Sequence, residues 1–258
     1  MNPYPKLIKS LIQKLAWDLR PEAFRSRSIL QALKGSQKGR KAVILCNGPS
    51  LLETDFAGLA SSGAYVIGLN KINLLFDKTE LRPDAIVAVN AHVIEQNEDF
   101  YNTTDLPLFL SHQNHGKGKR VRPRKNVTHV CVNDLGNGPQ SDITWAIHEG
   151  STVTTPAMQL AIHLGCTTIA LIGCDHNFST KGEANRAVKA GETDPNHFDP
   201  KYFSGGVTWQ LPDLLASEIS YLRVRLMAER MGVEVKNCTE GGKLEVFDRQ
   251  SLEVFLEA

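Results

Sequence analysis

Between Lys41 and Asn237 the chain alternates short apolar runs with longer, more polar stretches. Seven runs stand out, at 42–46, 64–69, 84–89, 107–111, 128–132, 167–172 and 233–237, most of them rich in Val, Ile, Leu and Ala. Apolar residues on consecutive positions suit strands buried on both faces. Helical patterns separate several of these runs, which predicts βαβ crossovers and an α/β fold with a doubly wound, mostly parallel, Rossmann-like sheet. The clearest helix is predicted over 155–165, with Pro156 in its first turn and Gly165 at its end. A longer one is predicted over 213–231, closed by Gly232.

Three stretches break this rhythm. Residues 1–40 precede the first strand and place Leu7, Ile8, Leu11, Ile12, Leu15 and Ala16 at helical spacing beside Trp17. Residues 111–126 are polar and carry six Lys or Arg within 117–125. Residues 173–212 form a long insertion rich in Gly, Asp, His and aromatics that directly follows a strand. Long loops of this kind are usually functional lids or disordered. This one leaves the carboxyl end of a parallel strand, where α/β proteins bind ligands. The chain is therefore expected to divide into a basic arm, 1–40, and a Rossmann-like domain, 41–258, with its ligand site at that edge.

Composition narrows the class. The 258 residues are 41% hydrophobic and 22% charged, ordinary values for a soluble globular protein. No apolar run approaches a membrane span, and the first twenty residues lack the pattern of a signal peptide. Five scattered cysteines without a CxxC argue against zinc and disulfide frameworks, so a reducing cytoplasm is expected. Net charge is only +1, yet residues 1–41 hold ten Lys or Arg against Asp18 and Glu22. A basic amphipathic helix there either docks on the domain or lies on an anionic membrane surface, which would make the protein peripheral at the inner face.

The candidate chemistry begins where the first strand ends, at Asn47-Gly48-Pro49-Ser50. Gly48 permits a sharp turn or a close approach, and Pro49 stiffens it. Ser50 is placed to cap a helix starting near Leu51, whose first N–H groups attract an anion. Asn47 offers a donor and an acceptor. This predicts a preformed site for a base, ribose or phosphate, against the alternative of an ordinary strand–turn–helix link. The turn matches neither the P-loop nor GxGxxG. Other strand ends repeat the theme with Asn70, with Asn90 beside His92, and with Gly173, Asp175, His176 and Asn177. No DxD pair makes a metal the default, and His163 reads as a packed histidine.

Taken in order, the N-G-P-S-L turn, the strand ending in Asn70, the block 150–178 ("GSTVTTPAMQLAIHLGCTTIALIGCDHNF"), "NHFDPKYF" (196–203) and "NCTEGGKLEVF" (237–247) resemble a bacterial family. That family shares a domain with archaeal hydroxymethylpterin diphosphokinase and with glycosyltransferases of flagellin and surface polysaccharides. The resemblance covers most of 41–250. More distantly, the same blocks are similar to bacterial sialyltransferases with a Rossmann-like, GT-A-type fold. The resemblance implies that Asn47, Gly48, Ser50 and Asn70, and the helix start at Ser151, Thr152 and Thr154, hold a nucleotide. The tyrosines that assist the leaving phosphate in sialyltransferases have no counterpart after Asp175, where His176 and Asn177 stand.

The leading expectation is an inverting glycosyltransferase that joins a nucleotide-activated sugar, CMP-linked by resemblance, to a glycan acceptor. It needs no cofactor beyond the donor. Asn47, Gly48, Pro49, Ser50, Asn70 and Gly173 would hold the nucleotide, Asp175 would orient a substrate, and His197 would be the general base. Tyr202 or Arg122 would stabilise the departing phosphate, with Asn90, His176 and Asn177 nearby. The second expectation is diphosphate transfer from ATP to a hydroxymethylpterin, with Mg²⁺ on Asp175. A third, nucleic-acid binding through 117–125, is weaker because the cluster has no interleaved aromatics. The sequence leaves the oligomeric state open.

Overall fold

The computed structural model describes residues 4–114, 121–132, 138–179 and 182–257. All seven expected strands are present: β1 (Lys41–Leu45), β2 (Tyr65–Leu69), β3 (Ala85–Ala88), β4 (Leu108–Ser111), β5 (Val127–Val130), β6 (Thr168–Ile172) and β9 (Glu234–Asn237). They form one sheet in the order β5-β4-β3-β2-β1-β6-β9, and every pairing is parallel. The helices are α1 (Tyr4–Asp18), α2 (Pro21–Leu33), α3 (Phe56–Ser61), α4 (Ala91–Gln96), α5 (Glu98–Thr103), α6 (Thr154–Leu164), α7 (Leu214–Arg230) and α8 (Leu252–Glu257).

Strand alternation builds two cores. Ala42, Ile44 and Cys46 of the first strand and its exit pack with Met158 and Ala161 of α6 and Tyr221 and Val224 of α7. Val43 and Leu45 point the other way, toward Leu51, Tyr101, Phe198 and Tyr202. Both faces of the sheet are covered, which is why its strands read as apolar runs. Each fully buried Ile or Leu in them is worth about 1.5–3 kcal/mol. The chain builds β1 to β5 outward on one side and then returns to lay β6 against the free flank of β1. The strand order reverses there, so the carboxyl ends of β1 and β6 flank the crevice where such sheets bind ligands.

Two readings of the sequence need revising. The insertion at 173–212 holds a small antiparallel hairpin, β7 (Ala187–Lys189) with β8 (Thr208–Gln210). Its strands are three residues each and largely exposed, so no apolar run announces them. Residues 1–40 hold two helices rather than one arm, and α2 belongs to the domain. Glu22 and Ser26 of α2 are buried against β5: Ser26 Oγ accepts the His129 N–H at 3.0 Å, and Glu22 Oε1 lies 3.0 Å from His129 Nδ1.

Burial opposes ionisation of Glu22, but the hydrogen bonds of His129 and Arg25 outweigh it and lower its carboxyl to about 2. A carboxylate depressed on folding stabilises the fold above its unfolded pKa, and that stability is lost as pH falls through the folded value. The contact between α2 and β5 should therefore hold at neutral pH and weaken from about pH 4.5 down toward 2. Trp17 is buried beside His129, and acid titration of its fluorescence should report the release. Glu22→Gln should flatten that transition.

Candidate functional site

At the reversal point Cys46, Asn47 and Gly48 leave β1, and Gly173, Cys174, Asp175 and His176 leave β6. The two exits run side by side: the Cys46 N–H donates to the Ile172 carbonyl at 2.9 Å, and the Gly48 N–H donates to the Gly173 carbonyl at 2.8 Å. A Cβ on Gly48 would stand 1.9 Å from Asp175 Oδ2 and 2.6 Å from the Gly173 carbonyl. The glycine is thus required by the neighbouring strand end. Gly173 itself sits at φ 64°, a left-handed conformation that turns the chain toward Asp175.

Above these exits lies a cavity of about 260 Å³. Asn47, Gly48, Asn70, Asn90, Ser151, Thr152, Thr154, Gly173, Asp175, His176, Asn177, His197 and Tyr202 all line it. The sheet edge thereby gathers residues from four strand ends, a helix start and the insertion. Asn47 is 9% exposed, and its Oδ1, like that of Asn70, is a buried acceptor with no hydrogen-bond partner. Buried polar atoms are rarely left so. Thr152 and Thr154 hydroxyls lie 3.3 Å apart, with Thr152 also 3.3 Å from the Tyr221 hydroxyl. Cys46 Sγ is 3.7 Å from Thr154 Oγ1, and Cys174 Sγ is 3.6 Å from Tyr221. A buried floor of thiols and hydroxyls results, with Thr154 used inside the protein.

Several expected residues take other places. Pro49 and Ser50 do not line the cavity. They open a 3₁₀ turn, Pro49–Glu53, whose N-cap residue is Gly48 and not Ser50. Ser50 Oγ instead donates to Asp175 Oδ2 at 2.8 Å, with the Ser50 N–H at 3.4 Å. The acceptor position expected for a ligand anion is thus filled by a carboxylate of the chain. Asn90 caps α4, its Oδ1 accepting the N–H groups of His92 and Val93. Arg122 lies away from the cavity. Its N–H donates to Asn102, and Arg124 holds the Tyr101 and Thr104 carbonyls, at the amino end of β4 and β5. Lys117, Lys119 and Arg120 of the same basic cluster lie outside the described residues.

His197 is held from all sides. Its Nδ1 lies 2.7 Å from Asp194 Oδ2, its ring stacks on Tyr202 at 3.9 Å, and Phe203 meets it edge-on. Asp194 is buried and also accepts the N–H groups of Asn196 and Phe203. Burial disfavours its charge, but the bond and charge of His197 prevail and hold the carboxyl below its usual range. The sequence contained this pair as Asp-Pro-Asn-His, an i, i+3 spacing that carries no signal by itself in a loop.

Nor is this part of the insertion a free lid. The Phe198 N–H donates to the Asn47 carbonyl at 2.9 Å, and the Lys71 ammonium, buried beneath, donates to the Tyr202 carbonyl at 2.7 Å. Burial lowers that lysine to about 8, partly offset by Asp194. Lys78 adds an ion pair to Asp199. Across the cavity His176, at φ 51°, bonds Glu218 of α7 at 3.0 Å. No group of three or more His, Cys, Asp or Glu suited to a metal occurs among the described residues.

The solved structure of the MAf glycosyltransferase from Magnetospirillum magneticum AMB-1 superposes with a TM-score of 0.53 at 17% identity. The match covers 90% of this chain but 39% of that one, so this chain spans about two fifths of its neighbour's length. No curated protein matches the sequence. The family described as 6-hydroxymethylpterin diphosphokinase MptE-like matches residues 21–181. That match starts with α2, ahead of the expected 41, and ends before the stretches 196–203 and 237–247. It takes in β1 to β6, the Asn47 turn and the Asp175 exit, and on this basis the chain belongs to the MptE-like family.

Proposed function

We propose that the protein is an inverting glycosyltransferase that uses a nucleotide-activated sugar, with a CMP-linked donor as the specific reading. The observation that carries it is His197 on the cavity wall, with the buried Asp194 behind its Nδ1. Asp194 keeps the proton on Nδ1, so Nε2 holds the lone pair a general base needs. In the proposed step Nε2 takes the proton of an acceptor hydroxyl as its oxygen bonds to the anomeric carbon. The bond from that carbon to the phosphate oxygen breaks, and its electron pair leaves with the nucleotide. Asn47 and Asn70 would bind the nucleotide through their unpartnered acceptors. His176, steadied by Glu218, and the hydroxyls of Ser151 and Thr152 would receive the phosphate charge that Arg122 is too remote to meet. The structural neighbour named for glycosyl transfer supports this reading.

A second reading rests on the family's description: diphosphate transfer from ATP to a hydroxymethylpterin. Asp175 would then hold Mg²⁺ through Oδ1, since Oδ2 is committed to Ser50.

Thermal unfolding with CMP, UDP, GDP and ATP, each with and without Mg²⁺, separates the two. A ligand at a hundred times its Kd adds about 2.7 kcal/mol to apparent stability. For a chain of this size that is a rise in Tm of roughly 5–10 °C. CMP should give it without metal. Stabilisation by ATP alone, and only with Mg²⁺, moves the assignment to diphosphate transfer. Asn47→Ala should weaken CMP binding about tenfold, the worth of one hydrogen bond to a buried acceptor.

A further inference from the structure

In a helix docked on its domain the apolar side faces inward. In α1 it faces outward. Leu7, Ile8, Leu11, Ile12 and Leu15 form one stripe and are 49–60% exposed, and Leu19 just beyond is 81% exposed. The helix is moored at its last turn, where Trp17 is buried between His112 and His129 and Asp18 pairs with Arg27. Single exposed leucines need no explanation, but a continuous stripe of this kind marks an interaction surface.

Charge identifies the partner. Ten basic residues lie within 1–41 against two acids; Asp18 pairs with Lys14 and Arg27, Glu22 with Arg25, and Lys34 with Asp142, which leaves the segment net positive. Lys9 is exposed on α1 itself. The remainder of the chain is net negative. An apolar face bordered by lysines on a helix too short and too polar to span is the pattern of a helix lying in a lipid interface. Among the described residues no helix is long and apolar enough to cross a membrane. A second copy of the chain fits less well. A fifteen-residue helix presents a strip roughly 22 Å by 10 Å. That falls well short of the roughly 800 Å² each partner gives to a standard interface, and like charges would meet across it.

We propose that α1 lies in the surface of a membrane containing anionic lipid, with Leu7, Ile8, Leu11, Ile12, Leu15 and Leu19 in the acyl boundary and the basic residues at the headgroups. This goes beyond the glycosyltransferase reading and does not depend on it, since binding is measured without turnover.

The test is co-sedimentation of the full chain with vesicles of phosphatidylcholine containing one third phosphatidylglycerol, and with pure phosphatidylcholine. The protein should sediment with the anionic vesicles, and binding should fall steeply with added salt. Leu11→Glu combined with Leu15→Glu should reduce binding at least tenfold while leaving the thermal midpoint and CMP binding unchanged, because both side chains are half exposed. A polarity-sensitive fluorophore on Ile12→Cys should shift to the blue on anionic vesicles, which tests the same face without adding charge. Failure of the wild-type chain to sediment, equal binding by the double variant, or no shift at position 12 would each overturn the proposal. So would a wild-type dimer that ignores vesicles and is broken by the double variant, which would assign the stripe to a second copy.

Discussion

His197→Ala is expected to cut turnover about 10²–10⁴-fold, the usual worth of a general base, with CMP affinity nearly unchanged. The split follows from geometry. His197 lines the cavity as a side chain distinct from the asparagine acceptors, and its ring is fixed by Asp194, Tyr202 and Phe203. Removing the imidazole takes away a proton acceptor and leaves the asparagine acceptors in place. Asp194→Asn should give a smaller loss, in kcat and not in KM, and should shift the acidic limb of the pH–rate profile. The bond and charge of His197 hold Asp194 below the usual carboxylate range, so it stays ionised to lower pH than a free aspartate. Steady-state assays with a CMP-sugar donor, paired with calorimetric binding of CMP, distinguish the effects. Near-normal turnover in His197→Ala would remove this histidine from the mechanism and make His176 the next base to test.

Gly48→Ala is expected to weaken nucleotide binding at least tenfold and to destabilise the fold by about 1–3 kcal/mol, the cost of forcing atoms into a filled site. The backbone at Gly48 is ordinary, at φ −71°, so strain of conformation is not the cause. The cause is contact. The added methyl would meet the Asp175 carboxylate, which Ser50 holds, and the Gly173 carbonyl, which is backbone. Either the carboxylate rotates away from Ser50 or the two strand exits part. Asp175→Ser in the same chain should recover only part of the loss, because the Gly173 carbonyl remains. Urea melts and CMP titration read both quantities. Wild-type CMP affinity in Gly48→Ala would show that the close approach of the two exits is not what the nucleotide site requires.

The layered core was legible because burial on both faces writes itself as consecutive Val, Ile and Leu, and no tertiary contact is needed to read it. The start and stop of α6 were legible for a similar reason, since Pro156 and Gly165 act locally. Asn47, Asn70 and Asp175 could be placed at one edge because each follows a strand and the strands run parallel. What escaped was decided by partners distant in sequence. Ser50 has the chemistry of a helix cap, but a carboxylate 125 residues later takes its hydroxyl. Arg122 shares a basic cluster with its neighbours in sequence, yet its N–H is received by Asn102 at the amino end of β4 and β5. Asp194 carried no periodic signal and became visible only once the loop closed on His197. The outward stripe of α1 had a helical period, but period alone does not say which way a helix is turned.

The placement of β6 beside β1 also bears on how the molecule is made. β1 is a central strand, but its second neighbour comes late: Ser50 and Asp175, at the two strand exits, are 125 residues apart. At synthesis rates of about 5–20 residues per second, roughly 6–25 s separate their emergence from the ribosome. Throughout that interval one flank of β1 is an unpaired apolar edge, the kind of surface that invites aggregation. A nascent chain stopped before Thr168 can hold β1 to β5 but has no second wall for the cavity. Ligand in the cell therefore cannot rescue early misfolding, because the site it would stabilise does not exist until β6 has been made. Chaperone dependence should be greatest in that window and should end when β6 docks.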